Sequence, residues 1–260
     1  SNLSGSIGQV IYDTTNSRLV VNANADNLIT TLDYQVDVNA ASTAASTLAS
    51  GDVKFSITGG SGEDTITTGG GDDTISTGAG GGTVIGGNGA DTITGGGGVD
   101  IIKWTGTTAA LIASETGSTA GTDVDFSSGS IGDDLISWTS GADKLYFSQT
   151  LLTNAIGSEA DTLKTIAAEG TVANTDRFVE ITAAFDGTTG DAITDLNALT
   201  TSAVAIGDSF VAFMQDGTDG YLFLVDQVSA ADTIAAQDVT LIGQISGVTN
   251  VADGDFVSFS

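Results

Sequence analysis

A large aliphatic side chain recurs at every ninth position between residues 57 and 102: Ile57, Ile66, Ile75, Val84, Ile93 and Ile102. Around the last five of these lie consecutive units of nine, GGSGEDTIT (59–67), TGGGDDTIS (68–76), TGAGGGTVI (77–85), GGNGADTIT (86–94) and GGGGVDIIK (95–103). They share the form G-G-x-G-x-D-x-U-x, with U a large aliphatic. A flexible Gly-rich linker would not place an Ile or Val at every ninth residue, so the tract is an internal repeat. SGDVKFSIT (50–58) puts Ile57 at the U position without the glycines and reads as a degenerate first rung. In each unit the glycines permit left-handed or crowded backbone, so that a six-residue turn can fold its carbonyl oxygens toward one point. The sixth residue adds a carboxylate. The x-U-x triplet is a short strand with U inward and neighbours such as Thr65 and Thr67 outward.

Outside the array the pattern is mostly that of strands. QVIYD and RLVVNAN flank TTNS and read as two strands joined by a polar turn, with LITTLDYQVDV and VKFSIT as further strands. Residues 40–50, AASTAASTLAS, fit either a short helix or a small-residue loop. After the array, ALIA within residues 104–128 predicts a strand, and DRFVEITAAF predicts another. DAITDLNALTTSAVAI (191–206) predicts a helix that Asp191 caps. SFVAFMQDGTDGYLFLVDQ is a hairpin signal around Asp216, Gly217, Asp219 and Gly220, and DVTLIGQI is a strand. The fold class expected is all-β, with a β-rich cap or lead-in at 1–58 and a β-rich C-terminal cap at 149–260.

Composition narrows the chemistry. The 260 residues carry 33 acidic against 6 basic side chains, a formal charge of −27, which repels nucleic acid and anionic lipid and makes cations the natural partner. Asp far outnumbers Glu, as suits turns and metal loops. There is no Cys, Pro or His. Without thiols there are no disulfides. Without imidazole the available ligands are oxygens, which suit hard cations such as calcium. No run of about 18 apolar residues is present to form a transmembrane segment. Ser1 is preceded by no recognisable leader, which reads as a processed chain or a fragment of a larger one.

The array resembles the RTX (repeats-in-toxin) nonapeptides, which bind calcium and form a parallel β-roll. That resemblance implies two nonapeptides per coil, with units 18 residues apart stacked and each calcium between two stacked turns. Ile66, Val84 and Ile102 would then stack in one wall and Ile57, Ile75 and Ile93 in the other. Asp73 would lie over Asp91 on one turn edge, while Asp64 and Asp100 flank Gly82, which replaces the expected Asp. The implied complete site uses Thr68, Gly70 and Asp73 with Gly87, Gly89 and Asp91. The sites beside Gly82 have one carboxylate each, from Asp64 or from Asp100 with its turn residues Gly96 and Gly98, and are expected to bind more weakly. Stacked carboxylates repel, so folding is expected to depend on calcium.

GSIGDDLIS (129–137) matches the nonapeptide except at Ser130, and WTSGADKLYFS follows directly. Asp134 to Ser148 resemble the signature D-x-I-x-D-F-x-x-G-x-D-K-L-x-L-S that closes RTX rolls, with a residue missing before Trp138 and the Asp-Phe absent. This extends the roll to 59–148, makes Asp134 a candidate ligand and leaves Asp143 as a turn residue. The tail resembles the C-terminal regions of RTX proteins that leave the cell by type I secretion machinery.

Serralysin-type proteases and some bacterial lipases carry such a roll behind a catalytic domain. Here the lack of His rules out both H-E-x-x-H and a Ser-His-Asp triad. No G-x-S-x-G elbow is present, the nearest segment, GSTAG (117–121), having Thr119 at its centre. The chain is expected not to be an enzyme. Its Ala, Thr, Gly and Asp bias is similar to that of RTX-containing bacterial S-layer proteins. The expected function is an extracellular, cell-surface structural role with calcium-dependent lattice or homo-oligomer assembly. The alternative is the calcium-binding and secretion domain of an RTX adhesin or of a secreted hydrolase.

Overall fold

A computed structural model describes residues 10–13, 18–21, 34–38, 53–119, 132–152, 161–166, 171–173, 176–182, 185, 192, 194–196, 200–202, 209–226 and 234–260. Among the described residues strands predominate, the sheets are mostly parallel and helices are few, consistent with the all-β expectation. Near the N-terminus β1 (Val10–Asp13), β2 (Arg18–Val21), β3 (Tyr34–Val38) and β4 (Val53–Lys54) pair antiparallel in that order. The expected VIYD–RLVV pairing is present, with Val10 opposite Val21. The helix-or-loop segment 40–50 lies outside the described residues.

The array supplies β5 (Ser56–Thr58), β6 (Asp64–Thr67), β7 (Thr74–Ser76), β8 (Gly82–Ile85), β9 (Thr92–Thr94) and β10 (Asp100–Lys103). These alternate between two parallel sheets. In one, Ile57 pairs with Ile75 and Ile75 with Ile93. In the other, Ile66 pairs with Val84 and Val84 with Ile102. The two walls are those expected from an 18-residue stacking. Each strand is only three or four residues long, so a single inward aliphatic per strand builds the core. Ile75, Val84, Ile93 and Ile102 are all buried.

After β10 the chain makes one helix, α1 (Ala109–Glu115), where ALIA was expected to be a strand. The helix wins because Thr108 caps it, its side chain accepting from Leu111 N–H, and because AALIASE is rich in helix formers. β11 (Asp133–Ile136) and β12 (Lys144–Ser148) then add one further strand to each wall.

The remaining strands are β13 (Leu163–Ile166), β14 (Thr171–Ala173), β15 (Phe178–Ile181), β16 (Thr200–Ser202), β17 (Ser209–Gln215), β18 (Gly220–Asp226), β19 (Val239–Ile245) and β20 (Phe256–Phe259). The helix expected over 191–206 is shorter: 192 and 194–196 are helical, whereas β16 pairs parallel with β14, and Asp191 lies outside the described residues. β-Branched Thr200 and Thr201 favour the extended backbone there. The hairpin signal is realised as β17–β18, whose turn is tied by Asp216 Oδ1 accepting from Thr218 and Asp219 N–H at 2.8 and 2.9 Å.

The walls do not end with the repeats. β20 adds to β12, giving the order β20-β12-β10-β8-β6. β19 adds parallel to β11, and β18, β17, β15 and β13 continue that sheet to nine strands. Between their end residues β17 (FVAFM) and β18 (YLFLV) are continuously apolar, because both faces are covered. Val211, Phe213, Leu222 and Leu224 continue the core between the walls. Phe210, Ala212, Met214, Tyr221, Phe223 and Val225 form a second core with Val179, Ile181 and Leu241.

Candidate metal centre

The turns between the short strands stack so closely that glycine is enforced. Gly89 has φ 126°, and a Cβ there would lie 2.6 Å from the carbonyl oxygen of Gly71 in the coil below. Gly87, with φ 99°, faces Gly69 O in the same way. Direct turn-to-turn bonds run from Gly71 N–H to Asn88 O and from Asn88 N–H to Gly69 O, at 2.8 and 2.7 Å. Gly70 bridges Asn88 in parallel register, and Thr68 Oγ1 donates to Gly86 O.

On the edge formed by turns 68–73 and 86–91 the aspartates make a ladder. Asp73 N–H donates to Asp91 Oδ1 at 2.8 Å, and Phe55 N–H donates to Asp73 Oδ1 at 2.6 Å. Both side chains belong to residues only 1% exposed, yet Asp73 Oδ2 and Asp91 Oδ2 have no hydrogen-bond partner. A buried carboxylate oxygen without a donor is costly and calls for a cation. Burial, together with the charges of Asp73 and Asp72 and against the hydrogen bond from Asp73 N–H, pushes the Asp91 carboxyl up from 3.8 to about 7. Asp72 itself is held below the usual range. Its partial burial acts upward but is outweighed by the hydrogen bond and charge of Lys54, at 2.7 Å, and by Ala90 N–H.

The opposite edge is built differently. Asp64 Oδ2 accepts from Gly60 N–H at 2.6 Å and Asp100 Oδ2 from Gly96 N–H at 2.9 Å, so each carboxylate closes its own turn. Asp100 is buried and its Oδ1 is unpartnered, as is the buried Thr77 Oγ1. Gly82 lies between them in register with both Asp64 and Asp100. Gly98 has φ 88°, and a Cβ there would lie 2.6 Å from Gly80 O.

The register of the closing segment is one residue away from expectation. Leu135, not Ile136, pairs with Ile93 and is 1% exposed, while Ile136 is 39% exposed. Asp133 therefore takes the turn position assigned to Asp134: its Oδ1 accepts from Asp91 N–H at 3.0 Å, extending the ladder. Asp134 instead pairs with Thr92 on the strand, and desolvation raises its carboxyl. The shift is absorbed at Ser137, whose φ of 60° makes it the one non-glycine with positive φ among the described residues. Asp143 is more than a turn residue. Its Oδ1 accepts from Asp100 N–H at 2.8 Å and its Oδ2 from Thr139 N–H at 2.7 Å, which is the sixth-position geometry of the other edge. Burial raises the Asp143 carboxyl, with Asp100 and Asp255 adding to the rise against the hydrogen bonds from Asp100 and Thr139 N–H.

Among the described residues no three acidic side chains form a ready-made metal cluster. Residues 56–84 and 76–103 match the family model of the RTX calcium-binding nonapeptide repeat. The array is RTX-type, and its cofactor is Ca2+. Such repeats suggest a β-roll for the alternating walls. No curated protein matches the chain. The residues present fit the ion, because hard oxygen donors are what calcium takes and two of them, Asp73 Oδ2 and Asp91 Oδ2, are buried on adjacent coils without a protein partner.

Proposed function

We propose that the chain is a calcium-gated structural protein of the cell exterior, with a parallel β-roll as the core that calcium sets. The observation that carries this reading is the pair of buried, unpartnered oxygens Asp73 Oδ2 and Asp91 Oδ2 within a calcium-binding repeat array. The strongest site uses Asp73 and Asp91 with the carbonyls of Thr68, Gly70, Gly87 and Gly89. Weaker sites use Asp64, or Asp100 with Gly96 and Gly98. In low calcium the stacked carboxylates hold the turns apart. In millimolar calcium they close, and folding follows binding.

RTX repeats are typical of secreted proteins, and export by type I secretion followed by folding outside is the route this reading assigns. The net charge of −27 makes the protein self-repelling until divalent cations neutralise or bridge its surface. Calcium-dependent assembly into a surface layer follows as the role, with no catalysis. The test begins with fully chelated protein, followed by circular dichroism, light scattering and electron microscopy as calcium is added. A gain of β signal followed by sheets or filaments is the expected result. A folded chain that stays monomeric points instead to the calcium-binding domain of an adhesin or hydrolase, and an unchanged spectrum removes calcium-gated folding.

A further inference from the structure

Trp104 follows Gly86 by the same 18 positions by which Gly86 follows Thr68. It therefore takes the first position of the third turn on the edge that carries Asp73 and Asp91. In the turn below, that position has no room for a side chain, since a Cβ on Gly86 would run into Asp91 Oδ2. The same approach recurs on the other edge, where a Cβ on Gly59 would lie 2.6 Å from Asp64 Oδ2 and one on Gly95 would lie 3.0 Å from Asp100 Oδ2. From these three glycine positions a Cβ thus points at the second oxygen of the sixth-position carboxylate, although Thr68, at the first position of its own turn, directs its hydroxyl to Gly86 O instead. Trp104 does reach such an oxygen: its indole Nε1–H donates to Asp133 Oδ2 at 2.7 Å, in a buried contact.

The three carboxylates Asp73, Asp91 and Asp133 form one ladder through their Oδ1 atoms. They differ at Oδ2, which lacks a partner on Asp73 and Asp91 and has the indole on Asp133. The indole is firmly held. Trp104 is 3% exposed and stacks on Phe147 at 4.9 Å with an interplanar angle of 10°. Phe147 meets Phe178 at 6.0 Å, and Phe178 meets Phe256 at 5.2 Å. Trp104 is thus anchored to β12, β15 and β20 while its N–H faces the ladder.

We propose that Trp104 ends the calcium column on this edge: its indole N–H takes, on Asp133 Oδ2, the place that calcium takes on Asp73 and Asp91. Asp133 is then a structural acceptor and not a ligand, and the coil of β11 and β12 closes on this edge without metal. The proposal rests on the calcium reading above and deepens it.

The test counts calcium ions per folded chain, by elemental analysis after gel filtration and by calorimetry with calcium alone. Trp104→Phe keeps a ring on Phe147 but removes the donor, and is expected to bind one more calcium than the unaltered protein. Adding Asp133→Asn to that variant is expected to remove the extra ion, and Asp133→Asn alone to leave the original number. An unchanged count in Trp104→Phe, or an ion lost in Asp133→Asn alone, overturns the proposal. If Trp104→Phe fails to fold, Asp133→Asn alone decides in the same way. Unaltered protein that takes up no calcium defeats the calcium reading itself, which is a different result.

Discussion

Replacing Asp91 by Asn should have opposite effects on stability with and without calcium. Without calcium, the charged carboxylate of a residue only 1% exposed has a single N–H donor, at Oδ1, and none at Oδ2. Its folded-state pKa of about 7 lies above the ordinary 3.8, chiefly through burial. A carboxyl raised on folding binds its proton more tightly in the folded state. The fold therefore loses stability as pH rises from about 3.8 to about 7 and stays at the lower level above that. About three units at ~1.4 kcal/mol each make the charge worth on the order of 4 kcal/mol against the fold at neutral pH. Asparagine keeps an acceptor for Asp73 N–H and carries no charge, so in excess chelator at pH 7.5 the variant should retain more of the array's β structure than the unaltered protein. The gap should shrink toward zero near pH 4. In millimolar calcium the order should reverse, because the variant has lost an anionic ligand. Far-UV circular dichroism of the two chelated proteins at three pH values, together with urea unfolding of both in calcium, measures all of this. If the two chelated proteins show the same β signal from pH 4 to pH 7.5, the assignment of a buried uncompensated charge to Asp91 is wrong.

The register of the closing segment can be tested by truncation. Leu135→Ala should cost about 2 to 5 kcal/mol in urea unfolding, as for a buried Leu, whereas Ile136→Ala should stay within about 0.5 kcal/mol; the opposite order would restore Asp134 and Ile136 to the repeat positions. Gly82→Asp restores the motif carboxylate on paper, but a Cβ there meets Asp64 O at 2.5 Å. The variant should lower the thermal midpoint in calcium and gain no calcium ion by calorimetry, and a gained ion without destabilisation would refute that steric argument.

The walls were legible because one aliphatic per nine residues leaves no other way to form a core, and 18-residue pairing places Ile57, Ile75 and Ile93 apart from Ile66, Val84 and Ile102. The Asp73–Asp91 edge was legible from the same spacing. Two features were hidden. Counting nine back from Asp143 lands on Asp134, and the doubled Asp133-Asp134 and Leu135-Ile136 make either register fit the motif. Only the extra residue taken up at Ser137, in a left-handed conformation rare for a side chain, decides for Asp133. Trp104 gave no local sign of its role, since its hydrogen bond is to a residue 29 positions away, across α1. Its 18-residue spacing from Gly86 was the available clue. ALIA was misread because four apolar residues do not distinguish strand from helix, and the cap at Thr108 settles the matter.

The parallel ladders also give the array a mechanical character. Neighbouring coils are joined by hydrogen bonds that run along the stacking axis, so tension applied at the Phe55 end loads them one coil at a time and not in shear. Each coil that parts frees 18 residues, roughly 60 Å of extended chain, for a loss of only about 5 Å of stacked length. At the other end β17 and β18 are paired antiparallel over seven residues and sit behind two cores, so rupture halts there. The repeats are in effect an extensible spring in series with a stiff mount, and on the proposed calcium-gated folding the ambient ion would set the force at which the spring begins to yield.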